Sequence, residues 1–291
     1  MTGASGFVGS HVARELRERG ADVEDERVDL LDVAALRRVV AGRDAVFHVA
    51  ALYSYDADPA LIKRVNVEGT QNVLAACARE GVTRIVHTST AGTCGPVPGR
   101  PATELDEPPS WELSVPYKRT KLAAERLALE AGAIVVNPTT PVGDGDRKPT
   151  PTGKMIAGVA RGRIRGFVAT TGLNVVDVRD VARGHALALE RGRPGERYLL
   201  GAVNLSLQEL FAVLADLAGR DRPRIRVPYA VALVAGKVGF VNEDEVRLAR
   251  LPMYFSSEKA ENFLGYAPGP VEPALARAVA EAVGQDGKGG A

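Results

Sequence analysis

The chain opens with MTGASGFVGSHVARELRERG, residues 1–20. Glycines recur at Gly3, Gly6 and Gly9, and a helical pattern follows at once. Val12, Ala13 and Leu16 are its apolar positions, charges lie between them, and Gly20 is the stop. Glycines at this spacing suit a turn that delivers a strand to a helix at a dinucleotide phosphate. Gly3 permits the tight turn, Gly6 lets a pyrophosphate approach the backbone, and Gly9 lets the helix pack closely on the sheet. The helix start then offers free N–H groups and the positive end of its dipole. The same glycines also suit an ordinary surface turn, so the rest of the chain has to decide.

Downstream, three short apolar runs are rich in strand formers: DAVFHVAAL (44–52), RIVHTST (84–90) and AIVVNP (133–138). Between them, 66–80 and 117–131 read as helices that stop at Gly81 and Gly132. Strands alternating with helices predict a doubly wound parallel sheet, an α/β fold of the Rossmann type, covered on both faces. The regularity fades after Pro138. Residues 137–154 are rich in proline and glycine and are expected to be largely loop. Short helices are expected at 180–191, 207–218 and 274–283. The chain therefore divides into a dinucleotide-binding domain, 1–138 plus about 174–192, and a smaller irregular substrate-binding lobe, about 139–173 and 193–284. Residues 285–291, QDGKGGA with the glycine before them, are expected to be a disordered tail.

Composition excludes several classes of function. The 291 residues are 45% hydrophobic and 25% charged, with a formal net charge of +1. That balance gives no electrostatic case for nucleic acid or an anionic membrane. No apolar run approaches the ~20 residues of a membrane span, and no secretory signal is evident. The two cysteines, Cys77 and Cys94, form no close-spaced motif and suit the reducing cytoplasm. Cys77 falls in a helical pattern and reads as a buried apolar residue. His11, His48, His87 and His185 are not at metal-ligand spacing, so no metal site is expected.

Two constellations carry chemistry. Tyr117 and Lys121 stand four apart on a helix and share a face. An ammonium beside a phenol favours the phenolate and draws the tyrosine pKa down towards working pH, making Tyr117 a usable proton donor or acceptor. Thr88, Ser89 and Thr90 lie at the C-terminal end of an expected strand, where open parallel sheets bind ligands. A hydroxyl there can orient a carbonyl oxygen beside the tyrosine.

With these residues the chain resembles the extended short-chain dehydrogenase/reductase family. The resemblance covers nearly the whole chain through TGASGFVG (2–9), DLLD (29–32), HVAA (48–51), NVEGTQNVL (66–74), TSTAGT (88–93), YKRTK (117–121), NPTTPVG (137–143), VVDVRDVARGHALALERG (175–192) and SSEKAENFLGY (256–266). It is closest to dihydroflavonol-reductase-like proteins and to the hopanoid-associated proteins called sugar epimerases. The resemblance implies NADP or NAD as cofactor, held by Gly3, Ser5, Gly6, Phe7, Val8 and Gly9 at the phosphates. Asp29 and Leu30 would flank the adenine, Val49, Ala50 and Ala51 the ribose and phosphate. Thr88 and Ser89 would meet the nicotinamide ribose, and Pro138, Thr139 and Thr140 the nicotinamide. Asn66 falls where the family has an active-site asparagine, with a structural capping role equally open.

It further implies a catalytic set of Thr90, in place of the usual serine, Tyr117 as general acid/base, and Lys121 as its activator and a ribose contact. Ala91 and Gly92 stand where the sugar-nucleotide dehydratases have an acid pair, which disfavours dehydration. The implied activity is a nicotinamide-dependent oxidoreductase acting on a small carbonyl or alcohol compound. A sugar-nucleotide epimerase and a non-catalytic dinucleotide sensor are the alternatives, and a homodimer is an allowed assembly. One departure stands out. Residues 21–29 are too few for the family's second strand, a crossover and a third strand, because a crossover alone needs ~10–12 residues. Segments of the family fold are expected to be missing around the first strand, within 23–26 and within 237–242, with neighbours there not directly joined. NAD cannot be told from NADP for the same reason.

Overall fold

The computed structural model describes residues 1–53, 57–239 and 241–284. The expected tail and Phe240, within the second expected junction, lie outside them. In chain order the strands are β1 Val46–His48, β2 Ile85–Thr88, β3 Ile134–Pro138, β4 Thr140–Val142, β5 Gly166–Val168, β6 Gly172–Asp177, β7 Arg197–Leu200, β8 Val203–Ser206 and β9 Ile225–Val227. The helices are α1 Phe7–Glu18, α2 Val33–Val40, α3 Pro59–Lys63, α4 Gly69–Glu80, α5 Pro116–Glu130, α6 Pro151–Ala160, α7 Val178–Arg191, α8 Leu207–Leu217, α9 Tyr229–Lys237, α10 Glu243–Leu248, α11 Glu258–Leu264 and α12 Glu272–Gly284.

Strands β1, β2, β3 and β7 form a parallel sheet in that order. Every residue of β1, β2 and β3 is buried, as apolar runs flanked by helices on both faces should be. Side chains alternate between two cores. Phe47, Val86, Ile134 and Val136 meet Val12 and Leu16 of α1 and Val181 of α7. Val46, Ile85 and Val135 meet Leu36 of α2, Val73 and Cys77 of α4 and Ala128 of α5. A third core joins β4–β6 to α6, α8 and α12 through Val142, Ile156, Phe167, Val175, Leu214 and Leu275. The second sheet has the order β4-β6-β8, and β5 pairs with β9.

Thr2 bridges the free side of β1: its N–H donates to Phe47 O at 2.9 Å, and Val49 N–H donates to Thr2 O at 3.3 Å. Residues 21–29 contain no regular structure, and the Met1 ammonium donates to the Glu24 carbonyl.

Two expectations need correction. Residues 137–154 are not largely loop, since β4 lies within them and α6 starts at Pro151. Thr150 caps that helix by accepting from Gly153 N–H, and proline is tolerated at the first position because its missing N–H would have had no partner there. Residues 197–200, assigned to the lobe in sequence, form the edge strand of the main sheet by pairing with β3.

Candidate active site

The turn before α1 behaves as its glycines demand. Gly3 has φ +77°, and a Cβ there would stand 2.6 Å from Ala50 N. At Gly9 a Cβ would lie 2.0 Å from the Gly3 carbonyl oxygen, so this glycine packs on the turn itself rather than on the sheet. Gly6 takes the N-cap position with no side chain closing it, and the first turn holds no acidic residue. The N–H groups of Phe7, Val8 and Gly9 are ones an α-helix cannot pair within itself.

The turn opens onto a cleft of about 1690 Å³ that runs between the main sheet and the C-terminal lobe. All the expected cofactor residues line it except Asn66. Asn66 is fully enclosed in a π-helical turn, Arg64–Glu68, ahead of α4. Its amide accepts from Leu52 N–H at 2.7 Å and donates to Leu52 O at 3.1 Å and to Thr120 Oγ1 at 3.3 Å. It braces the wall of the cleft from behind, holding Leu52 to Thr120. Asp29 lines the cleft while accepting from Leu31 N–H at 2.9 Å, which fixes its own turn.

Strand β2 and helix α5 bring the three expected catalytic residues together. The Thr90 and Tyr117 side chains are neighbours, close enough for the Thr90 hydroxyl to act on the phenol, and both are half-buried on the cleft wall. Thr90 Oγ1 also accepts from Gly92 N–H at 3.3 Å. Tyr53 stacks on Tyr117 with ring centres 4.4 Å apart. Lys121 is buried and donates to Thr88 O at 2.7 Å. The expected depression of the tyrosine pKa is not found: burial, then the neighbouring Tyr53, pushes the phenol up, against a smaller opposing effect of Thr90. Burial also brings Lys121 down to about 8, offset in part by the Glu125 carboxylate. Burial outweighs the opposing effects of Thr90 on the phenol and of Glu125 on the ammonium, so Tyr117 holds its proton.

The residues fit a dinucleotide on two observations. The glycine turn is a cradle that any Cβ would fill. Ser89 Oγ is buried on the cleft wall with no partner, as a group awaiting a ligand hydroxyl would be. The Thr88 hydroxyl, by contrast, is already bonded to His185 Nε2 at 2.8 Å, so only its backbone faces Lys121. Sequence reasoning missed Tyr53, although it directly follows HVAAL, and the residues 25–28 that continue the cleft past Asp29. Among the described residues no cluster of His, Cys, Asp or Glu could hold a metal ion, and no helix is long and apolar enough to cross a membrane.

A parallel sheet wound on both faces, a glycine cradle at a helix start and a hydroxyl–tyrosine–lysine set on one wall define a nicotinamide-dependent enzyme of the Rossmann class. The chain belongs to the NAD dependent epimerase/dehydratase family, whose profile it matches over residues 1–201. It is 36% identical to a protein of Synechocystis sp. described provisionally as a dihydroflavonol 4-reductase, over 96% of this chain and 92% of that one. That match spans 318 positions, more than the 291 residues of this chain, so the relative has residues where this chain has none. Among solved structures it is similar to gox2253, at 40% identity and a TM-score of 0.86 over 99% of this chain and 98% of that one. It is also similar to PA4631, a nucleoside-diphosphate-sugar epimerase of Pseudomonas aeruginosa, at 27% identity and a TM-score of 0.83 over 98% and 97% of the two chains.

Proposed function

We propose that this enzyme is a carbonyl reductase, equally an alcohol dehydrogenase in reverse, of the dihydroflavonol-reductase-like kind. The observation that carries the reading is the meeting of the Thr90 and Tyr117 side chains on the cleft wall, with Lys121 lining the same wall. A substrate oxygen placed between the two hydroxyls would be held by both at once. NADP or NAD would lie along the glycine turn, Asp29 and Leu30, Val49–Ala51, Ser89 and Pro138–Thr140. When bound, the reduced nicotinamide supplies the hydride that forms the new C–H bond. Thr90 holds the oxygen, and Tyr117 gives it a proton as the C=O double bond becomes single. Lys121, one helical turn along, lends its positive charge to the phenolate left behind until water reprotonates it. Buried, unpaired Cys77 and Cys94 suit a cytoplasmic setting.

Tyr117→Phe tests this directly. The ring stays and the proton goes, so kcat should fall ~10²-fold or more while dinucleotide affinity stays within about twofold. Lys121→Ala should weaken both. A near-normal kcat in Tyr117→Phe would remove the tyrosine from the mechanism. The likeness to the PA4631 epimerase favours a second reading, transient oxidation and re-reduction of a nucleotide-linked sugar, which would show epimerisation without net NAD(P)H consumption. Dinucleotide binding with no turnover of any kind would instead point to a sensor.

A further inference from the structure

The two halves of the cleft differ in chemistry. The half built by the main sheet holds the glycine turn, Ser89, Thr90, Tyr117 and Lys121. The half built beyond Pro138 is walled chiefly by Met155, Ile164, Phe167, Leu173, Phe211 and Met253. Its charged residues, among those described, are Lys154 and Glu245, which are opposite in sign. At about 1690 Å³ the cleft exceeds the ~300–1000 Å³ typical of a site for one drug-sized ligand, leaving room for a second molecule beside a dinucleotide.

A nucleotide-linked sugar brings a diphosphate, which needs cations or open helix starts. Three of the helix starts on this side are closed to anions, while that of α9, at Pro228, has no side-chain cap and no acidic residue in its first turn. At α6 the Asp146 carboxylate accepts from Thr150 N–H at 2.9 Å and from Thr150 Oγ1 at 2.8 Å, placing a negative charge there. At α8, Ser206 and Glu209 form a reciprocal capping box. At α10, Asn242 caps a first turn made of Glu243, Asp244 and Glu245. The lobe therefore offers mainly apolar contact, and Lys154, opposed in sign by Glu245, is its one cation among the described lining residues.

Resting on the carbonyl-reductase reading, we propose that this half of the cleft takes the hydrocarbon chain of an uncharged, elongated ketone or its alcohol, with the carbonyl at Thr90 and Tyr117. The test uses the intact enzyme with NADPH or NADH and a series of methyl n-alkyl ketones from 2-pentanone to 2-undecanone. Net consumption should rise in kcat/KM about two- to fourfold per added methylene, the increment for burying one CH₂. In parallel, 2-undecanone should displace the neutral apolar dye Nile red from the dinucleotide-saturated enzyme, and UDP-glucose should not. Reduction with no dependence on chain length would overturn the inference and leave the reductase reading standing. Displacement of the dye by UDP-glucose but not by the ketone would overturn it as well. Displacement by the ketone without any turnover would support the apolar site and sink the reductase reading alone.

Discussion

Thr90 is held from behind by a buried polar network. Asn137 Nδ2 donates to Thr90 O at 3.1 Å and to Glu125 Oε2 at 2.6 Å. Thr93 Oγ1 lies 2.6 Å from the same carboxylate oxygen, and Arg197 Nη1 donates to Glu125 Oε1 at 2.6 Å. Glu125 is 1% exposed and its arginine partner 16%, so the pair is screened little by water. Removing one member of such a pair strands the other. Glu125→Leu should cost ~3–5 kcal/mol in guanidinium unfolding and lower kcat by letting Thr90 shift. A loss under about 1 kcal/mol would mean that water reaches Arg197 once the carboxylate is gone.

The element that matters most is the turn into α1. A Cβ at Gly9 would meet the Gly3 carbonyl oxygen at 2.0 Å and its carbon at 2.7 Å, both backbone atoms that cannot rotate aside. Gly9→Ala must push the turn and the helix apart, at a cost of ~1–3 kcal/mol of overpacking. Dinucleotide affinity should fall by about tenfold or more, together with the melting temperature. Gly20→Ala is the control: its φ of +86° strains any side chain, yet nothing lies within 4 Å of the added atom. That variant should lose stability and keep affinity. Unchanged affinity in Gly9→Ala would place the phosphates elsewhere.

Over the whole molecule, histidines under the main sheet couple folding to pH. His48 and His87 stack with ring centres 5.1 Å apart, and His185 bonds Thr88 and the Val181 carbonyl. Burial lowers all three, His48 to about 3 and His185 to about 4. Below pH ~6.5 the unfolded chain therefore binds protons that the folded chain refuses, and stability rises with pH in that range. The contribution of His185 should be complete above pH ~6.5 and fade as pH falls towards about 4. Urea unfolding of His185→Gln against the parent between pH 4 and pH 7 should show a shallower slope for the variant. Equal slopes would mean that this ring is protonated in the fold as readily as in water. Buried Glu104 and Glu112 are shifted upwards and act in the opposite sense, so the comparison between the two proteins, rather than either profile alone, is the measurement.

What the sequence determined by itself was local and periodic. Runs such as AIVVNP are buried on both faces wherever they lie in a parallel sheet, and Gly81 and Gly132 end their helices through positive φ. The glycine turn and the Thr90, Tyr117 and Lys121 set were legible because fixed spacings on a strand end and one helix face leave few ways to arrange them. Tertiary structure decided the rest. Thr150-Pro151 reads as a break in sequence and is a helix start in the fold. Arg197–Leu200 becomes a sheet edge only because β3, some sixty residues earlier, presents open backbone groups to it. That Asn66 binds Leu52 on both sides of its amide shows only once the fold brings the two together. Tyr117 is raised and Lys121 lowered because burial depends on everything packed around them, which no spacing encodes. The apolar half of the cleft draws Met155, Phe211 and Met253 from segments far apart in the chain, and only their convergence in space makes them one surface.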